Sequence, residues 1–461
     1  GVGPGEVPAA YKGFIEPDLD LEPSAVLAHV RRDGADGVLF DAVRDHHFQA
    51  MLLEAILSGG TLLGRAGSLI CTAGIATVEV PTGEPIESTV STNDLGETYI
   101  DFGRGFAIKL FRQVEPGVNP DLELRRFLTE RTAFDDIADT YGALEYQSGD
   151  TYTLGVLQQS FAEDSTTWNV LSGFAHDWLD ATKDEEAPAE PDGALGPVDQ
   201  SPAVPLPNAH LLDPALELAM RLGKTTAALH QALGSFSEDP DLNPEPFTQH
   251  YQQSLYQSLR AGIRHEIRAI RRLRHRAEGP VGAALDELIR AEQSCLARLG
   301  AIRRDRIKGS RIRLHGDYRL DNLIFDHKEP QAIALLDWEL STLGHPFADV
   351  AYLCMQLRMP QSVGAMSGLR GKNLAELGIP NEAEIVARYC ERAAIDSIDN
   401  FGYYVAFSFF RLAAIVQASL RLGCRLESRT RRAAIVGQRA AISGRKSAEG
   451  NSGVMKVPWS R

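Results

Sequence analysis

Cysteine is scarce and never falls in a CxxC spacing: Cys71, Cys295, Cys354, Cys390 and Cys424 are scattered over 461 residues. That pattern excludes a disulfide framework and a thiolate zinc site, and it fits a reducing, cytoplasmic compartment. Basic charge is also in deficit, with a formal net charge of -15. A nucleic acid or an anionic membrane as partner is therefore excluded, since each needs a basic footprint. Long uninterrupted apolar runs are missing as well. The most apolar stretch, Tyr403 to Leu420, contains Arg411 and Gln417 and reads as a buried helix, because a membrane span needs about 20 residues without such groups. No signal-peptide pattern opens the chain and no internal repeat is found. The first residue is Gly1 and not Met, so the sequence does not fix its natural start. What remains is ordinary globular composition, 44% apolar and 24% charged, at a length that predicts two or three domains.

Period and punctuation then sort the chain. Residues up to about 70 carry short helical patterns at Leu27 to Arg32 and Phe48 to Leu57. From Cys71 the period shortens. Ala76 to Pro81, Glu97 to Gly103 and Gly105 to Phe111 alternate and predict an antiparallel sheet. A helix is expected from Pro120, because Asn119 suits the N-cap, proline suits the first position, and Leu122, Phe127 and Leu128 supply an apolar stripe. Thr151 to Leu157 predicts another strand. The segment 183–210, dense in Pro, Asp, Glu and Gly, reads as an inserted loop. Leu211 to Gly300 reads as helical, a short strand pair is expected at Ile312 to His315 and Ile333 to Leu336, and helices resume to about Ser443. The polar tail from Gly444 is expected to be disordered.

One stretch carries chemistry: His315-Gly316-Asp317-Tyr318-Arg319-Leu320-Asp321-Asn322, followed by Leu335-Leu336-Asp337-Trp338-Glu339. Transfer of a γ-phosphoryl group needs a carboxylate to orient and deprotonate the attacking hydroxyl, and oxygen ligands for Mg2+ on the phosphates. Asp317 fits the first role. Asn322, across a tight loop, and Asp337, at the end of an apolar strand, fit the second, with Glu339 placed on the same side of an extended segment to reach a metal or its water shell. His315 reads as a residue that holds the loop by hydrogen bonds. Asp349 is expected to cap the next helix or brace the loop.

Upstream, Lys109 lies among apolar residues and needs a partner there. It is the candidate for the nucleotide phosphates, with Glu123 as the expected ion-pair partner and Glu130 in reserve. The loop containing Ser91, Thr92 and Asn93 offers hydroxyls and backbone donors to phosphate, although it lacks a Gly-rich signature. Gln158 and Ser160 end a strand where a nucleotide base would be held. ATP and Mg2+ are the expected cofactors.

The segment Phe106 to Glu130, with Lys109-Leu-Phe-Arg112, Glu115-Pro-Gly-Val-Asn-Pro-Asp121 and Arg126-Phe-Leu-Thr-Glu130, closely resembles bacterial maltokinases, which are often fused to trehalose synthase. Gly142-Ala-Leu-Glu-Tyr146, Leu154-Gly-Val-Leu-Gln158 and Gln253-Ser-Leu-Tyr-Gln-Ser258 extend the resemblance over residues 35 to 315 or so. Beyond His315 a maltokinase would carry Gln at 322, Phe at 338 and a Gly-Glu-Pro run at 340 to 343. The chain instead has Asn322, Trp338 and Leu340-Ser-Thr-Leu343. Asp337 to Gly344, Ala348-Asp-Val-Ala-Tyr352, Arg388-Tyr-Cys-Glu-Arg392 and Phe407 to Ile415 resemble phosphotransferase domains joined or related to acyl-CoA dehydrogenases.

The resemblance implies an α+β, protein-kinase-like bilobal fold of the aminoglycoside phosphotransferase type. Its parts would be an N-terminal cap subdomain (1–70), an N-lobe of antiparallel sheet plus helix (71–162), a mainly helical C-lobe (163–443) with the catalytic loop at 314–339, and a tail (444–461). It implies a small-molecule acceptor: maltose, giving maltose 1-phosphate, with trehalose synthase as fusion or complex partner, or a hydroxyacyl compound or other small alcohol. A catalytically silent pseudokinase is the reading of another class, against which the intact Lys109, Asp317, Asn322 and Asp337 stand.

Overall fold

A computed structural model describes residues 25–32, 35–78, 87–92, 97–162, 165–182, 210, 213–275, 277–303, 306–325, 333–359, 368–370 and 381–413. The elements in chain order are β1 (Val26–Arg32), β2 (Ala35–Phe40), α1 (His46–Ser58), β3 (Gly60–Leu63), β4 (Ser68–Ala73), β5 (Thr89–Thr92), β6 (Thr98–Asp101) and β7 (Phe106–Leu110). Next come α2 (Pro120–Arg131), β8 (Thr140–Ser148), β9 (Asp150–Gln159), α3 (Thr167–Thr182), α4 (Asp213–Leu233), β10 (Glu245–Pro246) and α5 (Gln249–Arg274). The remainder are α6 (Gly279–Arg290), α7 (Glu292–Leu299), β11 (Ser310–Leu314), β12 (Leu323–Phe325), β13 (Ile333–Leu335), β14 (Thr342–Gly344), α8 (Phe347–Leu357) and α9 (Glu382–Ala393). The chain divides into two compact units, Gly1–Gln252 with Arg306–Val405, and Gln253–Asp305 with Ala406–Arg461.

In the first unit, a seven-stranded antiparallel sheet runs in the order β3-β4-β8-β9-β7-β6-β5. Helix α1 covers one face. Its Leu52, Leu53 and Ile56 are buried with Ile100, Phe106, Ile108 and Leu157, each such side chain contributing roughly 2 kcal/mol. The approach is close because Gly142 lies beneath: a Cβ there would stand 2.4 Å from Ile56 Cγ2 and 2.6 Å from Thr72 O. Helix α2 lies on the other face. Leu122 packs with Phe111, Ala143 and Val156, while Leu124, Phe127 and Leu128 turn to the larger core formed with α3, α4, β11, β12 and α8. The α2 N-terminus forms as its residues dictate, with the Asn119 side chain accepting from Asp121 N–H at 2.8 Å and proline in the first turn.

The α+β bilobal, kinase-like fold is present: sheet plus helix first, then a part built mainly of helices. Four local expectations change. Leu27 to Arg32 is a strand paired with β2; alternation at Val26, Ala28 and Val30 with Asp33-Gly34 after it is a hairpin signal. The limit at residue 70 falls inside β4, and α1 belongs to the sheet's own core. The segments at 312–315 and 333–336 do not pair with each other: β11 pairs with β10 and β14, and β13 with β12. Residues 79–81 of the expected strand Ala76 to Pro81 lie outside the described residues, as do 183–209 of the expected loop, 414–443 and the tail 444–461.

The second unit contains most of α5 with α6 and α7. Arg271 and Arg274 at the end of α5 pair with Glu292 and Asp286, and Arg303 stacks on Tyr256 at 4.2 Å. Among the described residues no helix is long and apolar enough to cross a membrane.

Candidate active site

Lys109 sits mid-strand in β7 between the neighbours β6 and β9, with 1% of its surface exposed. Its ammonium lies 2.5 Å from Asp337 Oδ1, 3.3 Å from Asp121 Oδ2 and 3.4 Å from Glu97 Oε2, and it also meets Glu339. Burial by itself would lower the Lys109 pKa, but the surrounding carboxylates, led by Asp121 and Asp337, outweigh it and raise the pKa above the ordinary lysine value. Asp121 is fully buried and receives Arg125 Nε at 2.7 Å. Desolvation opposes its charge, yet Arg125 and Lys109 together hold it well below the usual carboxylate range.

Glu123 does not join this group. Its partner is Arg313 of β11, at 2.6 Å, and Glu130 is exposed. Helical phase is the reason: at 100° per residue, positions 121 and 123 point to opposite sides of α2. The residue that faces Lys109 is Asp121. A signal for it exists in the sequence, since an aspartate at the start of an apolar helix with arginine four residues on is an ion pair able to be buried. Glu97 also meets Lys109, and its place at the start of an alternating strand carries no sign of that role.

Asp337 and Glu339 reach Lys109 from the far end of the chain. The segment is not extended, as expected, but bent: Asp337 has φ 70°, a left-handed conformation that costs a non-glycine residue about 1–2 kcal/mol and is tolerated best by Asn and Asp. The neighbouring Trp338 is fully buried and packs on the His315 ring, centroids 4.6 Å apart. Glu97, Asp337 and Glu339 each present a carboxylate oxygen, all within 4.8 Å of one another. Four carboxylates thus face two cations, Lys109 and Arg125. Hard oxygen donors with a surplus of negative charge fit Mg2+.

The loop after β11 is held by backbone-directed bonds. Asp349 of α8 accepts from His315 N–H at 2.9 Å and Gly316 N–H at 3.1 Å. Burial works against its charge, but the hydrogen bonds from His230 and from the Gly316 N–H keep its pKa low. His315 is wholly buried. Its Nδ1 accepts from Asp317 N–H at 3.2 Å, so Nε2 carries the proton and donates to Leu336 O at 2.8 Å. Burial lowers its pKa and keeps the ring neutral, a brace and not a base. Asn322 Nδ2 donates to Asp317 O at 2.9 Å and to Asp317 Oδ2 at 3.0 Å, and Arg319 Nε stands 3.2 Å from the same Oδ2.

The remaining candidates are less drawn in. Ser91 and Thr92 are exposed on the edge strand β5, and Asn93 lies outside the described residues. Ser160 is tied to the β6–β7 turn, its hydroxyl bonding Asp101 at 2.7 Å and its N–H donating to Gly105 O at 2.8 Å. Gln158 lies opposite Ala107, is 6% exposed, and has an Oε1 with no hydrogen-bond partner.

Residues 199–388 match the model of the phosphotransferase enzyme family. The match covers less than half of the chain. The matched stretch contains the 315–322 loop and Asp337, and the chain shares its fold with a glucosamine kinase solved with glucosamine, ADP and inorganic phosphate, at 14% identity over 84% of this chain and 82% of that one, with a TM-score of 0.50. Acyl-CoA dehydrogenase family member 10 of Mus musculus is 52% identical over 104 residues, 23% of this chain and 10% of its own. Family member 11 of Rattus norvegicus is 43% identical over 106 residues, 23% and 13% of the respective chains. The matches span about a tenth of the length of these curated relatives. A likeness to acyl-CoA dehydrogenase family members is thereby shown.

Proposed function

We propose that the chain is an ATP-dependent kinase that moves the γ-phosphoryl group onto a hydroxyl of a small molecule. The observation that carries this reading is the convergence of Lys109, from the sheet, on Asp337 and Glu339, which lie 228 and 230 residues further along. Such a convergence serves a phosphate-and-metal site better than it serves stability, because buried charges lose in desolvation much of what they gain in attraction.

Asp317 is the residue that orients the acceptor hydroxyl and takes its proton. Asn322 and Arg319 hold that carboxylate in position. Lys109 takes the nucleotide phosphates, with Asp121 fixing its ammonium. Ser91, Thr92 and Asn93 are the candidates to border the phosphates, and Gln158 and Ser160 the base, Gln158 offering an unused acceptor. Asp337 and Glu339, with Asn322 through its Oδ1, would hold Mg2+, which when bound neutralises charge building up on the phosphate oxygens. Glu123 drops out of this set, since Arg313 takes its charge.

Two acceptors fit. Maltose follows from the resemblance over residues 35 to 315, and with it trehalose synthase as a partner. A hydroxyacyl compound follows from the C-terminal resemblance, and the acyl-CoA dehydrogenase names of the relatives favour it. The cytoplasm, rich in ATP and reducing, is the compartment that suits either. Release of ADP from Mg-ATP, followed with maltose, other sugars and a panel of hydroxyacyl-CoA compounds, decides. Turnover with maltose alone supports the first, turnover with the acyl compounds alone the second. Silence with every acceptor, together with no binding of Mg-ATP, sinks the kinase reading.

A further inference from the structure

Helix α2 carries two acids in its first turn, Asp121 and Glu123, that point to opposite sides. Asp121 meets the Lys109 ammonium at 3.3 Å. Glu123 accepts from Arg313 Nη2 at 2.6 Å, across 190 residues of chain. Arg313 belongs to β11, and the same strand runs on into His315 and the loop that bears Asp317. Its neighbours Ile312 and Leu314 are buried in the core that also takes Leu124 of α2. The ion pair stands at the margin of that core, with Arg313 18% and Glu123 25% exposed.

As a source of stability the pair is weak. Both groups reach solvent, and an ion pair open to solvent contributes little to a fold. Burial raises the Glu123 pKa, Arg313 lowers it, and Asp239 and Asp241, in the turn after α4, raise it again. Arg313 thus answers more negative charge than its own, and among the described residues it has no second ionic partner. What the pair supplies is direction. Apolar contacts such as those of Leu124 with the β11 core let a helix roll, whereas a short bond between charged groups fixes the angle. Since Asp121 and Glu123 ride on one helix, a roll of α2 that loosens one contact loosens the other.

We infer that Glu123 and Arg313 are positioning residues, whose ion pair makes α2 a rigid spacer between Lys109 and the strand that carries Asp317, so that a nucleotide held at Lys109 sets the place of the 315–322 loop. The inference rests on the proposed phosphoryl transfer, in which the donor phosphate and the acceptor hydroxyl must meet at a fixed distance. A nucleotide on Lys109 settles Asp121 and with it the roll of α2. Glu123 passes that roll to Arg313, and β11 brings Asp317 into line. Without the pair the nucleotide still binds, because Lys109 and Asp121 are intact, but the loop no longer responds to it. The loss falls on kcat and not on KM for Mg-ATP.

The test uses the full chain. Glu123→Gln, which keeps the shape, should lower kcat for ADP release about tenfold, with KM for Mg-ATP within about twofold and the melting temperature within about 3 °C. Arg313→Gln should give the same kinetic loss and melt lower, because it leaves Glu123 facing Asp239 and Asp241 alone. The double variant should be no slower than either single one, and the exchange of charges, Glu123→Arg with Arg313→Glu, should return kcat to within about threefold of the wild type. Amide exchange is read in parallel with Mg-AMP-PNP, a nucleotide that resists transfer. At saturation it should slow exchange at His315 to Tyr318 by at least about fivefold in the wild type and by less than about twofold in Glu123→Gln. Equal slowing in both proteins overturns the inference, as does wild-type kcat with only a lower melting temperature, or additivity of the two single variants. If the wild type binds Mg-AMP-PNP but turns over no acceptor, the exchange comparison alone decides. If it binds no nucleotide, the kinase reading falls and the inference falls with it.

Discussion

Around Lys109 the contacts are between full charges contributed by β7, α2, Glu97 just before β6 and the 337–339 bend, whereas the loop that carries Asp317 is braced by hydrogen bonds to its backbone, beside the contacts of Asn322 and Arg319 with the Asp317 carboxylate. The difference in force implies a difference in behaviour. Four carboxylates share one ammonium, so a cation or a polyphosphate arriving there can redistribute the pairs at small cost. The loop has no such freedom: His315 spends both nitrogens, and Asp349 both oxygens, on one arrangement. One half is built to exchange partners and the other to keep them.

The sharpest test of that contrast is Asp317→Asn, which keeps the shape and the loop bonds. Transfer should fall by roughly 10²–10⁴-fold, while affinity for Mg-ATP, by calorimetry, changes less than about threefold. Nearly wild-type turnover would remove Asp317 from the role of base. Asp337→Ala should do the reverse and weaken Mg-nucleotide binding by about 30-fold, because it removes an oxygen from the proposed metal set. Binding that stays intact would move the metal elsewhere.

Acidity should separate the halves as well. The folded pKa of His315 is lowered by burial, so its contribution to stability is complete above the ordinary histidine value of about 6.5 and is lost as pH falls below it. His345, pushed down to about 4 by burial, drains stability over the same window. A His315→Gln comparison by urea unfolding therefore isolates the His315 share, and the variant should lose less stability than the wild type between about pH 6.5 and 5. Asp121, whose folded pKa is lowered by its two cations, contributes above the ordinary carboxylate value of about 3.9 and fails only as pH falls below it. Lys109, with a raised pKa, contributes below about 10.4 and fails as pH climbs past that. The loop should give way first and on the acid side only. The smallest expected effect is at the sheet edge: Ser91→Ala or Thr92→Ala should weaken nucleotide binding by about threefold, as for one exposed hydroxyl contact.

What was legible in the sequence follows from whether the signal was local. The Asn119-Pro120 start of α2, the lysine inside a β7 of otherwise apolar residues, and the His315 to Asn322 loop each carry their reason within a few residues. Partner choice does not. Glu123 and Asp121 differ by two positions, and only the way α2 rolls onto the sheet decides which meets Lys109. Glu97 was unreadable for the same reason, since its meaning depends on a bend 240 residues later. Strand pairing failed where the strands are three residues long, as with β12 and β13, too short for alternation to choose a partner. Helix α1 looked separate because its sequence says that it buries one face but not against what.

The left-handed backbone at Asp337 also has a consequence for how this chain tolerates change. Glycine would sit at that φ without penalty, and its arrival would take one negative charge out of an acid-rich cluster. Asp337→Gly is thus expected to melt no lower than the wild type while transferring nothing, and a screen that selects for soluble expression would enrich it. At this position the sequence holds on to a residue that folding alone would discard.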